Sequence, residues 1–295
     1  MGGRGSCYLN FYDSSKSTSG DIDLFDILEG AEEDKDTEKE YNGKTEKLKQ
    51  KNIHIKESTD KIPEEIFIPN VTKIDSLTRK YSDTAKVLGK EEKELAIRSD
   101  KLGKTTVACF VHNGTKFDNL QIILNKDLTL SSKKRIEEEA ENQIKIGFWV
   151  KCDKGEYINQ TITHEYGHYV QKVLMQKELN TKKGKIRYDK FIEDLSNASN
   201  IKDKEAIVQK YSEEYATKYF KSIQRIHRKH FGKENIKDIS RYGEYNNREA
   251  FAELFANLNC SKEPTSLGKA TEIFLSKKMS VKNPMLKQFD KTIKE

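Results

Sequence analysis

The sequence is short of paired cysteines, long apolar runs and clustered charge, and each shortage removes a class of protein. Its four cysteines are Cys7, Cys109, Cys152 and Cys260. None forms a CxxC pair, which argues against a structural zinc knuckle, and their wide spacing suits reduced thiols better than a disulfide framework. The opening stretch MGGRGSCYLNFYDSS has no apolar signal-peptide core. No apolar run approaches the roughly 20 residues that a transmembrane helix needs. A soluble, cytoplasmic chain without a membrane partner is therefore expected. The 54 basic and 48 acidic residues give a net charge of +6, but both signs are interspersed along the chain. A nucleic-acid footprint needs basic residues gathered on one face, so no specific nucleic-acid partner is expected. Hydrophobic residues make up 35%, no more than the charged ones, so part of the chain is expected to stay outside the core.

That part is expected to be residues 1–62, a polar arm rich in Ser, Gly, Asp, Glu and Lys. One island in it, Asp21-Ile-Asp-Leu-Phe-Asp-Ile-Leu28, can form a short amphipathic helix and reads either as a local turn or as a segment that docks on a partner. Pro63 begins the folded domain, expected to run from 63 to 295 with a Lys-rich tail at 260–295. Within it, residues 72–100 read as mainly helical. Strands are expected at 105–111 and 120–124, with Asn113-Gly114 as the turn between them, and at 144–150. Helices are expected at 132–142, 158–179, 186–197, 203–230 and 247–258. No internal repeat is visible. The fold class is α+β.

The string that carries chemistry is Thr163-His-Glu-Tyr-Gly-His-Tyr-Val170. His164 and His168 are four residues apart, one turn on the same helical face, so two neutral imidazoles can bind one zinc ion. Glu165 projects beside the metal rather than onto it and is placed to take a proton from a water there. Bulky neighbours surround the motif: Ile162, Tyr166, Tyr169, Val170 and Leu174. Gly167 leaves room for another segment to approach the helix.

A catalytic zinc needs a third protein ligand. Leu174 stands where a metzincin would have histidine, and His227 and His230 lie in a Lys/Arg-rich stretch that reads as ordinary surface. Glu249 and Glu253 are more attractive. They are four residues apart among Ala250, Phe251, Ala252, Leu254, Phe255 and Ala256, and two carboxylates in so apolar a helix need compensation from a metal or from a ligand histidine's N–H. Spacing alone allows either to reach the metal. Glu193 and Asp194 are rivals in a more polar neighbourhood.

HEYGH followed by Ser240-x-Tyr242-Gly-x-x-Asn246-x-x-Glu249-x-Phe251-Ala-Glu253 resembles the gluzincin metallopeptidases, in the arrangement of the anthrax lethal factor catalytic domain and of domains in phage head-morphogenesis clusters. The resemblance spans about residues 105–258. It implies Glu249 as third zinc ligand, Glu253 as support for a ligand histidine, and Tyr242 as the phenol that stabilises an oxyanion, with Tyr245 a competing phenol. It also implies a zincin-like fold, a small mixed sheet packed on the HExxH helix with a helical C-terminal half closing the cleft. The activity implied is zinc-dependent endopeptidase, acting on protein or peptide substrates with one Zn2+ per chain. The 144–150 strand would pair with an extended substrate. The opening Met-Gly-Gly-Arg-Gly-Ser resembles the start of small phage-encoded proteins, which would make the chain virion-associated or delivered by a phage or mobile element. The rival reading is a structural or interaction protein whose zinc site is not catalytic; a toxin or effector role would differ in biology but not in chemistry.

Overall fold

The computed structural model describes residues 35–56, 63–102, 106–112, 117–126, 132–232 and 240–282. Among them is one four-stranded mixed sheet in the order β1-β2-β4-β3. Strands β1 (Ile53–Ile55), β2 (Leu95–Asp100) and β4 (Leu120–Asn125) run parallel, with Ile53 opposite Leu95 and Leu95 opposite Leu120. Strand β3 (Ala108–Val111) closes the far edge, antiparallel to β4, with Phe110 opposite Ile122. The antiparallel pair needs only a short connection, whereas the parallel pairs need crossovers. Helices α1 (Lys35–Lys49), α2 (Glu64–Lys80) and α3 (Asp83–Lys90) occupy the chain around β1 and before β2. Helix α4 (Lys133–Lys145) follows the sheet.

The second half is helical: α5 (Tyr157–Leu179), α6 (Lys182–Ser196), α7 (Ile201–His230), α8 (Asn247–Cys260) and α9 (Ser266–Lys278). Helix α5 lies at the centre. It packs on β3 and β4, is flanked by α2, α3 and α4, and makes its broadest contact with α8. Its residues Ile162, Tyr166, Tyr169, Val170 and Val173 are all at most 1% exposed. A helix apolar on most of its circumference has to be enclosed in this way. Its buried phenols find partners: Tyr166 Oη lies 2.9 Å from Thr84 Oγ1 and 3.1 Å from Thr78 Oγ1, and Tyr169 Oη donates to the Thr84 carbonyl. Helix α8 is covered in turn by α7 and α9.

Where α5 crosses α8, Gly167 is the point of closest approach. A Cβ built on Gly167 would lie 3.1 Å from Ala252 Cα and 3.2 Å from Phe255 Cβ. The glycine expected to admit a second segment does so, and the segment is the helix that carries Glu249 and Glu253.

Several expectations are corrected. The folded part does not begin at Pro63. Leu48 of α1 and Ile53 of β1 are fully buried in the main core, and β1 adds an edge strand to the sheet. Lys51 donates to Asp75 and Lys44 to Thr72, tying this segment to α2. So few apolar residues give no periodic signal; they become core only through pairing with distant β2. Residues 95–100 are the interior strand β2, between β1 and β4, not the end of a helix. Residues 144–150 form no strand. Helix α4 continues to Lys145 and the chain turns at Gly147 with φ 70°. The Gln143 carbonyl accepts from the N–H groups of Phe148 and Trp149, and the carbonyls of Gly147 and Phe148 accept from Arg241 and Tyr242. Backbone groups spent on a turn and on a neighbouring loop cannot join a ladder. The 21–28 island, the Asn113-Gly114 turn and the tail beyond 282 lie outside the described residues. No helix of the described residues is long and apolar enough to cross a membrane.

Candidate metal centre

Near the middle of α5, His164, Glu165 and His168 are buried, at 0%, 0% and 5% exposure. Facing them, α8 starts at Asn246, whose side chain accepts from the N–H groups of Arg248 and Glu249, both at 3.0 Å. This is an N-cap, and it sets Glu249 in the first helical turn, where the free N–H groups favour a carboxylate. The Asn246-x-x-Glu249 spacing therefore has a local cause: the capping residue fixes where the helix starts and so which way Glu249 points.

The two glutamates separate into different roles. Glu249 Oε2 lies 3.1 Å from His164 Nε2 and 3.3 Å from His168 Nε2. Glu253, fully buried one turn later, holds the back of His164, with Oε1 2.8 Å from Nδ1. Its second oxygen accepts from the Val150 N–H at 2.7 Å. A carboxylate on Nδ1 fixes a proton there, so that Nε2 is the nitrogen that would offer its lone pair to a metal ion.

His164, His168 and Glu249 thus form a buried group whose three ligand atoms all lie within 4.8 Å of one another. Without a cation, the arrangement is uncomfortable. Two imidazole nitrogens face one carboxylate oxygen, and His168 Nε2 is buried without a hydrogen bond among the described residues. Burial works against charge on His164, but hydrogen bonds to Glu249 and Glu253, with the charges of Glu253 and Glu165, outweigh it and raise its pKa to about 9. Burial likewise pushes Glu249 upward, yet His168 and His164 hold its carboxyl well below the usual carboxylate range. The centre favours positive charge, which a bound metal ion would supply. The spacing of Glu249 Oε2 from both nitrogens also fits: tetrahedral bonds of about 2.0–2.1 Å set neighbouring ligand atoms about 3.3 Å apart. These residues can hold one metal ion.

Tyr242 stands beside the centre. It is 5% exposed, and its ring centroid is 5.6 Å from that of His164. The short 3-10 turn Tyr242–Glu244 that presents it is pinned by Ser240, whose hydroxyl accepts from the Gly243 N–H and donates to the Phe148 carbonyl. Tyr245 packs on Tyr242 at 5.4 Å but is 69% exposed. Of the two phenols, Tyr242 is the one against His164.

Two residues at the centre give no signal in sequence. Both backbone groups of Val150 are engaged, its N–H by Glu253 and its carbonyl by the Gln160 amide at 2.7 Å. Gln160 sits one turn before His164, so the 146–152 segment is clamped between α5 and α8. In place of the expected strand, the segment braces Glu253 behind His164. The rivals lie elsewhere. Glu193 is exposed on α6, and Asp194 accepts from Tyr211. His227 is not a surface residue: it is 1% exposed, with Nε2 2.9 Å from Ser266 Oγ between α7 and α9. Its Lys/Arg-rich neighbours point outward, whereas its own side chain faces α9.

No family model, no curated protein and no solved structure matches this chain.

Proposed function

We propose that the protein is a zinc-dependent endopeptidase of the gluzincin type with a zincin-like fold. The observation that carries this is the convergence of His164 Nε2 and His168 Nε2 on Glu249 Oε2, with Glu253 behind His164 and the charge of Glu165 acting on His164. Two imidazoles and one carboxylate suit zinc, which when bound polarises a carbonyl and lowers the pKa of water. Glu165, wholly buried one residue after the first histidine, is the base that takes the proton of the attacking water and returns it to the leaving amine. Tyr242 donates its hydroxyl to the developing oxyanion. Glu253 keeps His164 in the tautomer that presents Nε2.

The resemblance to gluzincins selects a peptide bond over another amide. The rival reading, a purely structural zinc, requires a fourth protein ligand and has no use for a base beside the metal. Among the described residues the cluster has three ligands, and His168 borders a cavity.

Metal analysis of the purified protein, followed by cleavage profiling on a peptide library, tests the proposal. About one zinc per chain is expected. Glu165→Gln should keep the zinc and lose roughly two orders of magnitude or more in turnover. Zinc lost with Glu165→Gln would make Glu165 a ligand, and zinc without cleavage of any peptide would favour the structural reading. Tyr242→Phe should lower kcat with KM little changed, because its bond forms mainly in the transition state. The same loss in Tyr245→Phe with full activity in Tyr242→Phe would move the role to Tyr245.

A further inference from the structure

The buried phenols of helix α5 find hydrogen-bond partners, Tyr166 in two threonine hydroxyls and Tyr169 in a carbonyl. Tyr219 of α7 does not. It is 1% exposed, and among the described residues its hydroxyl is buried without a hydrogen bond. Its ring is held by aromatic neighbours on α8 and α9, with centroids 6.4 Å from Phe251 and 5.7 Å from Phe274. A ring packed on two helices cannot carry its hydroxyl out to water, and a buried polar group without a partner is costly. Tyr219 lines a cavity of about 40 Å³ that also borders His168. Phe110 from β3, Met175 from α5, and Tyr215 and Ala216 from α7 give it buried, largely apolar walls. Lys172 and Arg248 border it as well, but both already have partners, so neither is a spare counter-charge for an ion.

We infer that this cavity is a subsite for a small, uncharged side chain that bears a hydroxyl, threonine or serine, next to the scissile bond, and that the Tyr219 hydroxyl selects it. That the side chain belongs to a substrate peptide rests on the peptidase reading; the binding of the hydroxyl does not. Size sets the first limit: at about 10–15 Å³ per water, 40 Å³ has room for about three waters, which is the bulk of a threonine or valine side chain. Chemistry sets the second. Burial holds the Tyr219 pKa well above the usual phenol range, so at neutral pH the phenol keeps its proton and can donate it. A hydroxyl seated in the cavity accepts that bond. A charged side chain would leave water for largely apolar walls without an unpaired counter-charge. An aliphatic side chain of the same shape would fill the space and leave Tyr219 unsatisfied. Position gives the contact meaning, since a group seated there is adjacent to His168 and fixes how the neighbouring amide meets the centre.

The test uses full-length, zinc-loaded Glu165→Gln protein, which binds without cleaving, and three probes: N-acetyl-threonine amide, its isostere N-acetyl-valine amide, and N-acetyl-glycine amide. Calorimetry should show the threonine probe binding roughly tenfold tighter than the valine probe, the range for one hydrogen bond. Adding Tyr219→Phe, which removes a single buried oxygen, should bring that ratio to about one; the four affinities close a cycle that isolates the hydroxyl pair. Ala216→Val, which fills the cavity from the same helix, should cost the threonine and valine probes alike relative to the glycine probe, and keeps the test open if Tyr219→Phe folds poorly. Equal binding of the threonine and valine probes to the parent overturns the inference. So does a threonine preference that persists in Tyr219→Phe, because another group would then read the hydroxyl. On the active enzyme, cleavage of library peptides with no preference for threonine or serine over valine beside the scissile bond would sink the subsite alone. A threonine preference in binding by a protein that cleaves nothing would uphold the subsite and sink the peptidase reading.

Discussion

Gly167→Ala should weaken metal binding through one methyl group that touches no ligand. In an open helix this substitution stabilises by up to about 1 kcal/mol, because alanine gives up less backbone entropy. At position 167 the new Cβ would sit 3.1 Å from Ala252 Cα, 3.2 Å from Phe255 Cβ and 3.3 Å from Phe255 Cδ1. Phe255 is fully buried, and Ala252 offers backbone, so no flexible side chain can yield. Helix α8 must move by a few tenths of an ångström. Overpacking of this kind costs about 1–3 kcal/mol. Set against the helix gain, the net loss of stability is roughly 0–2 kcal/mol, a shift of a few degrees in Tm. The larger consequence falls on the metal. Ala252 lies between Glu249 and Glu253, so moving it displaces both carboxylates relative to His164 and His168. A loss of about 10–100-fold in metal affinity, as when a ligand's support is disturbed, is expected. Competitive chelator titration measures it, alongside thermal melts of the metal-free protein. Gly43→Ala is the control: it lies in helix α1 with nothing within 4 Å of a built Cβ, and should melt at or above the parent with unchanged metal affinity. If Gly167→Ala also melts higher and binds metal as tightly as the parent, the packing argument is wrong.

Glu249→Ala should be zinc-poor at ordinary concentrations, whereas Glu253→Ala should lose about 10–100-fold in affinity and recover metal in excess zinc; the reverse order in a chelator titration would exchange their roles, and Glu193→Ala and Asp194→Ala should match the parent. Lys172→Met should stabilise the metal-free protein. Burial takes the Lys172 pKa from 10.5 to about 7, so between these values the unfolded chain binds a proton that the folded one does not. The parent therefore gains stability as pH rises through that window, on the order of 5 kcal/mol in all. The variant should lack that rise, while the opposite contribution from His164, lost as pH rises from 6.5 to about 9, is common to both. Parallel stability–pH curves would refute it. A chain starting at Pro63 should be destabilised, since it loses Leu48, Ile53 and strand β1; two fully buried aliphatic side chains alone represent about 3–6 kcal/mol. Chemical denaturation that finds it as stable as the parent would show that α1 and β1 are dispensable.

The candidate metal centre was legible in sequence because its residues stand at helical spacing. His164 and His168 at i and i+4, with Glu165 between them, and Glu249 and Glu253 at i and i+4 in an apolar helix, each define a face without any tertiary information. The helices from α4 to α8 were legible for the same reason, to within a few residues at their ends, whereas α9 lies in what reads only as a Lys-rich tail. The sequence also pointed to Gly167 as a place of close approach. What it left open was decided by packing. Which glutamate meets both histidines depends on how α8 crosses α5, and the crossing at Gly167 and Ala252 puts Glu249 against both Nε2 atoms and Glu253 behind His164. Tyr242 and Tyr245 are three residues apart and alike in composition; burial of one ring against His164 and exposure of the other distinguishes them. Local signals failed where a segment's partner is distant. β1 has three residues and becomes a strand only by pairing with β2. β2 reads as helix until it lies between two neighbours. Residues 146–150 have the composition of a strand, yet their hydrogen bonds go to a helix end, a loop and the Glu253 carboxylate. Side-chain periodicity within one element is set by local geometry, so sequence carries it. The destination of a backbone N–H is set by whichever acceptor the folded chain brings near, and that is known only once the chain is folded.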